Sequence, residues 1–153
     1  SRHIDDFQDF TNFVGYNNHQ GSKTTGNREL MTALADLIKT SHPDLIVMDS
    51  ATGTSQYPHI AYEVMQSNGI RSYINVQFLD NTDSVSYTKA RLQDLEKKAL
   101  ENGFAAGIGH VIRPTTPQAI AEYLKDFSKQ GDHYIKQAGD KKVRLVTLSE
   151  LPK

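Results

Sequence analysis

Two textures alternate along the chain. Short apolar runs rich in Val and Ile read as buried parallel strands: Phe13–Tyr16, Leu45–Met48, Ser72–Val76, Ala105–Gly109 and Val143–Thr147. Between them lie stretches with helical spacing. Leu30, Leu34, Leu37 and Ile38 share one face of a first helix, with Asn27 as N-cap before Arg28. A second helix is predicted from Pro58 to the stop signal Asn68-Gly69. The longest runs from Ser84 to Asn102-Gly103, with Val85, Leu92, Leu95, Ala99 and Leu100 inward and Glu96 and Lys97 outward. A fourth follows Thr116-Pro117 and turns Ile120, Tyr123, Leu124 and Phe127 inward, and Ile4–Phe10 predicts a short opening helix.

Strand, helix, strand, repeated four times, predicts an α/β fold of five parallel strands with right-handed crossovers. Each βα unit takes roughly 30 residues, and a closed eight-unit barrel takes about 250. Five strands therefore consume the 153 residues. The pattern fits either a small open sheet or a portion of a larger barrel.

Composition narrows the function classes. The net charge is -1 and both signs are mixed along the chain, which gives no electrostatic reason to expect nucleic acid or an anionic membrane as partner. No apolar run approaches a membrane span. The absence of cysteine removes disulfides, thiolate metal sites and a cysteine nucleophile together. A phosphate-loop motif, a G-x-S-x-G elbow and an H-E-x-x-H pair are absent as well.

In parallel α/β folds, function collects at the carboxyl ends of the strands. Four successive runs end in polar residues: Asn17-Asn18-His19-Gln20-Gly21-Ser22, Asp49-Ser50-Ala51-Thr52, Gln77-Phe78-Leu79-Asp80-Asn81, and His110. Each group has an ordinary structural explanation. Asn17-Asn18 and Gly21-Ser22 suit turns, while Asp49-Ser50 and Asp80-Asn81 suit helix caps. His110 follows Gly107-Ile108-Gly109, whose missing side chains allow close approach of backbone or ligand. His3, His42, His59 and His133 read as solvated surface.

Val14–Ser22, Met48-Asp49-Ser50 with Thr52 and Ser55, Phe78–Asn81 and Gly107–His110 together resemble the divergent polysaccharide deacetylase family. The resemblance extends from about Ile4 to Leu151. It departs at Asn75-Val76, where the family usually has Arg-Asp, and at Gln20 and Val111, where Met and Pro are usual. The resemblance implies the later part of a distorted (β/α) barrel, one domain over residues 1–153, whose first strands, with a paired-aspartate motif, would precede residue 1. It also implies a hydrolase that removes acetyl groups from polysaccharide, extracellular or in the cell envelope. A divalent cation, usually zinc, polarises the acetyl carbonyl and lowers the pKa of its bound water toward about 7.

By the same resemblance, His19 is a metal ligand, and Asp49 and His110 are catalytic, His110 as general acid. Asn17, Asn18, Ser22, Ser50, Asp80 and Asn81 would bind substrate. The 153 residues alone are expected to hold no tightly bound metal, and an open barrel flank would invite association. A carbohydrate-binding relative without catalysis is the alternative, and an open-sheet nucleotide- or phosphate-binding module is a third.

Overall fold

The computed structural model describes residues 14–19, 21–52 and 60–152. The expected opening helix Ile4–Phe10 and the expected helix start at Pro58 lie outside them. The chain divides into two compact units, residues 1–73 and 74–153, each with its own apolar cluster.

In the first unit, β1 (Gly15–Asn17), β2 (Ile46–Asp49) and β3 (Ser72–Ile74) stand in that order in one sheet. β1 and β2 run parallel, with Gly15 opposite Ile46 and Asn17 opposite Met48. All four β2 residues are buried, as the continuous apolar run predicts. Three helices accompany these strands: α1 (Ser22–Thr25), α2 (Arg28–Ser41) and α3 (Ala61–Ser67). The Asn27 side chain accepts the Leu30 amide at 3.0 Å and so fixes the start of α2. Replacing Asn27 with Ala should cost about 1 kcal/mol, the usual weight of an N-cap, read as a lower midpoint in denaturant unfolding.

The buried face of α2 is Met31, Ala35 and Ile38. They pack with Val47 of β2 and with Ala61, Val64 and Met65 of α3. The expected stripe is therefore rotated: Leu30 and Leu37 are exposed. Apolar residues occupy a wide arc of this helix, and the contact with α3 selects which part is covered.

In the second unit, β4 (Gln77–Phe78) pairs in parallel with β5 (Gly107–Ile108). The pairing is extended by the Val76 amide to the Ala106 carbonyl and the Leu79 amide to the Ile108 carbonyl. The run Ser72–Val76 is thus not one strand. Buried Asn75 accepts the Gln77 amide at 3.1 Å through its side chain, a turn that ends β3 before β4 begins.

α4 (Val85–Asn102) starts at Ser84, whose hydroxyl accepts the Tyr87 amide, and ends at Gly103. It packs against α5 (Thr115–Tyr123). That helix starts two residues earlier than Pro117 suggests, and Pro117 sits in its first turn, where a missing amide hydrogen costs nothing. Leu79, Leu92, Tyr123 and Phe127 form the cluster, with Leu95, Ile120, Leu124 and Val143 against it.

The last strand and one face of α4 depart from expectation in this unit. The expected fifth parallel strand, Val143–Thr147, is antiparallel. β6 (Ser128–Gln130), β7 (His133–Ala138) and β8 (Lys141–Leu145) form a meander. Two-residue turns join them, and both begin with a glycine at positive φ, Gly131 at 60° and Gly139 at 64°. Such turns match the twist of hairpin strands and leave no room for a crossover helix. Glu96, expected outward, lies within the packing. Lys136 of β7 donates to its Oε2 at 2.8 Å, and the Tyr123 hydroxyl donates to the same oxygen. Burial and that carboxylate push the Tyr123 phenol above its usual range. No helix among the described residues is long and apolar enough to cross a membrane.

Candidate functional site

The expected site residues divide between the two units. His19, Asn17, Asn18, Ser22, Asp49 and Ser50 belong to the first; Asp80, Asn81 and His110 belong to the second.

In the first unit, the loop after β1 is stitched to the loop after β2. The Asn18 side chain accepts the Ser50 amide at 2.8 Å and donates to the Ser50 hydroxyl at 2.7 Å. Ser22 donates its hydroxyl to the Thr52 carbonyl at 2.5 Å. Asn17 reaches back to the Met48 carbonyl at 3.4 Å. Ala51, between these anchors, holds φ at 54°, a left-handed conformation that costs a non-glycine residue about 1–3 kcal/mol and persists only where its surroundings enforce it.

Asp49 is 1% exposed. Its two oxygens accept the Ala51 amide at 2.9 Å and the Tyr62 amide at 3.1 Å. The carboxylate therefore holds the strained turn and meets the first turn of α3 from a distance in sequence, while the N-cap position of that helix is Ile60 and not Asp49. Burial, and then the charge of Asp49, push the Tyr16 phenol up to about 12. His19 is exposed on the segment between β1 and α1.

The second unit holds a buried polar cluster around Asp80. Asp80, expected to line a cleft, is instead 1% exposed. Its Oδ2 accepts the His110 amide at 2.5 Å and the Thr116 hydroxyl at 2.7 Å. Its Oδ1 lies 3.0 Å from Nδ1 of the His110 ring. Burial alone would raise the Asp80 pKa. The hydrogen bonds from the His110 amide, the His110 ring and Thr116 outweigh it, and the carboxyl is held below its ordinary range. An ionised carboxylate can only accept, so the facing His110 nitrogen carries its hydrogen on Nδ1. Asn81 is exposed.

The glycines before His110 allow this contact. A side-chain carbon on Gly109 would meet the Thr116 γ-methyl at 3.0 Å and Asp80 Oδ2 at 3.6 Å. Sequence reasoning missed Thr116, which it treated only as the approach to a helix. The paired threonines Thr115-Thr116, after Gly-His at the preceding strand end, were the available signal.

His133, expected on solvated surface, also has a carboxylate partner. Its Nε2 lies 2.5 Å from Glu150 Oε1, and Glu150 also accepts the Thr147 amide and hydroxyl, each at 2.8 Å. The bond to His133, ahead of those from Thr147, lowers the Glu150 pKa to about 2.

A divalent cation needs about three protein donors with open lone pairs. Among the described residues no three His, Asp or Glu side chains converge to hold one. The Asp49 and Asp80 carboxylates already accept bonds on both oxygens. The donor set among the described residues does not by itself fit a metal centre.

Parallel strands that end in a buried aspartate–histidine contact and a hydroxyl–amide network define an α/β protein with its polar chemistry at strand ends. The divergent polysaccharide deacetylase profile matches residues 1–151, and the chain belongs to that family. An uncharacterized protein of Haemophilus influenzae is 33% identical over 114 residues, which cover 74% of this chain and 38% of the relative. The crystal structure of an uncharacterized protein from Agrobacterium tumefaciens matches with a TM-score of 0.67 at 19% identity, over 76% of this chain and 45% of that one. That likeness is one of fold. The chain spans less than half the length of either relative.

Proposed function

We propose that this chain supplies the proton-transfer part of a polysaccharide deacetylase, with His110 as the general acid that protonates the departing sugar amine. The observation that carries this reading is the 3.0 Å contact between His110 Nδ1 and the buried Asp80 carboxylate. A carboxylate in that position fixes the ring's tautomer and orientation and offsets positive charge when the ring takes up a proton. The side chain of His110 remains 39% exposed, so a substrate can approach the imidazole while its partner stays dry. Asp80 then acts on His110 and does not touch substrate.

The first unit's polar loop suits a different task. Asn17 and Asn18, with Ser22, carry amides and a hydroxyl of the kind that bind sugar hydroxyls; Ser50, 4% exposed, would act by holding the Asn18 side chain, and Asp49 holds the loops in register. Within the second unit, Asn81 is the candidate substrate contact. A divalent cation, zinc by family resemblance, would draw one ligand from His19 and the others from outside the described residues.

Metal content and acetate release from an N-acetylated amino-sugar polymer test the reading. Both should be measured on the 153-residue chain and on a longer form of the protein. The longer form should carry zinc and release acetate, and the short chain should do neither. Stoichiometric zinc in the short chain would place the ligands within it and overturn this assignment. A longer form lacking both properties would favour the carbohydrate-binding alternative.

A further inference from the structure

We propose that Thr116 is a positioning residue that aims His110 by locking the Asp80 carboxylate. The proposal rests on His110 being the proton-transfer group. A carboxylate is planar, so fixing one oxygen in place fixes where the other points. Asp80 Oδ2 is held from two directions, by the Thr116 hydroxyl at 2.7 Å and the His110 amide at 2.5 Å. Oδ1 is then aimed at the ring nitrogen, 3.0 Å away. With the amide alone, the carboxylate could rotate about its Cβ–Cγ bond and release the ring.

Three further observations favour this role over a purely local one. The Thr116 side chain is 2% exposed, and its hydroxyl donates across to Asp80 and does not cap its own helix. The adjacent Thr115 hydroxyl donates to Asp83, so both threonines at the start of α5 are tied to aspartates that follow β4. The Thr116 γ-methyl occupies the space that a side chain at position 109 would need. The backbone leading into His110 is thereby seated against the residue that holds its partner.

The test compares Thr116→Val, which keeps the shape and loses the hydroxyl, with Thr116→Ser, which keeps the hydroxyl. Imidazole ¹⁵N shifts of His110 in the 153-residue chain should show one Nδ1–H tautomer in the neutral ring. Thr116→Val should shift them toward the mixture seen in solvent, and Thr116→Ser should restore them. An unchanged tautomer in Thr116→Val overturns the proposal.

Should that variant fail to fold, the wild-type chain still decides. The Thr116 hydroxyl proton must be protected from exchange and coupled to the Asp80 carboxyl, and a freely exchanging proton overturns the proposal. In acetate release by a longer form, Thr116→Val should lower kcat about 10- to 100-fold with KM unchanged, the weight of one hydrogen bond to a charged group. A shifted tautomer with unchanged kcat also overturns it. His110→Ala at full activity instead removes the reading of His110 on which the proposal stands.

Discussion

Replacing Asp80 with Ala should destabilise the second unit by about 2–4 kcal/mol, since each buried donor left without its acceptor costs about 1–3 kcal/mol. The substitution removes the acceptor for three groups at once: the His110 amide, the His110 ring and the Thr116 hydroxyl. The threonine is buried and finds no water to replace the carboxylate. Asp80→Asn keeps the shape and one acceptor, so it should cost less. Urea unfolding with a probe in α4 or α5 measures both variants. A loss below about 1 kcal/mol for Asp80→Ala would mean that these bonds are not formed in solution.

The same carboxylate sets a pH dependence. Its pKa is lower folded than unfolded, so its contribution to stability is complete above the ordinary carboxylate range. That contribution is lost as pH falls through the depressed folded value. Wild type should therefore lose stability in acid more steeply than Asp80→Asn.

Where local chemistry decided the structure, the sequence was readable. Asn27 and Ser84 are N-caps because an Asn or Ser side chain beside exposed amides has one favourable partner at hand. The run around Val47 is a strand because apolar residues, Ile46 and Val47 among them, fill both of its faces and are buried there. The hairpins were legible too: Gly131-Asp132 and Gly139-Asp140 are two-residue loops of a kind that signals antiparallel pairing. The strand-helix rhythm of the preceding residues pointed instead to one more crossover, and a regular pattern was extended past its end.

What stayed hidden depended on a neighbour distant in sequence. No local feature distinguishes an aspartate that faces a cleft from one buried under the next strand. Asp80 is buried because β5 brings the His110 amide beside it and α5 brings Thr116. Glu96 is likewise drawn inward by Lys136, 40 residues further along. The strand-end rule found His110, Asp49 and Asp80 by position. Their surroundings differ: Asp49 and Asp80 are buried and accept backbone amides, while the His110 side chain is 39% exposed.

His110→Ala should lower kcat for acetate release from an acetylated amino-sugar polymer by about 10²- to 10⁴-fold, the span expected for loss of a general acid. The fold should tolerate the change. The backbone amide that Asp80 accepts remains, the Thr116 bond remains, and the side chain removed was 39% exposed. Stability should therefore fall far less than in Asp80→Ala. KM should change little, because proton donation to the amine develops only as the bond to acetyl breaks. An exogenous imidazole should recover part of the lost rate if a proton donor is all that is missing. The assay belongs on a longer form of the protein, since this chain spans 38% of its Haemophilus relative. Equal loss of stability and activity would assign His110 a structural role. Unchanged kcat in a folded, acetate-releasing variant would move the general acid to another residue and leave the Asp80–His110 contact as a structural tie between β4 and β5.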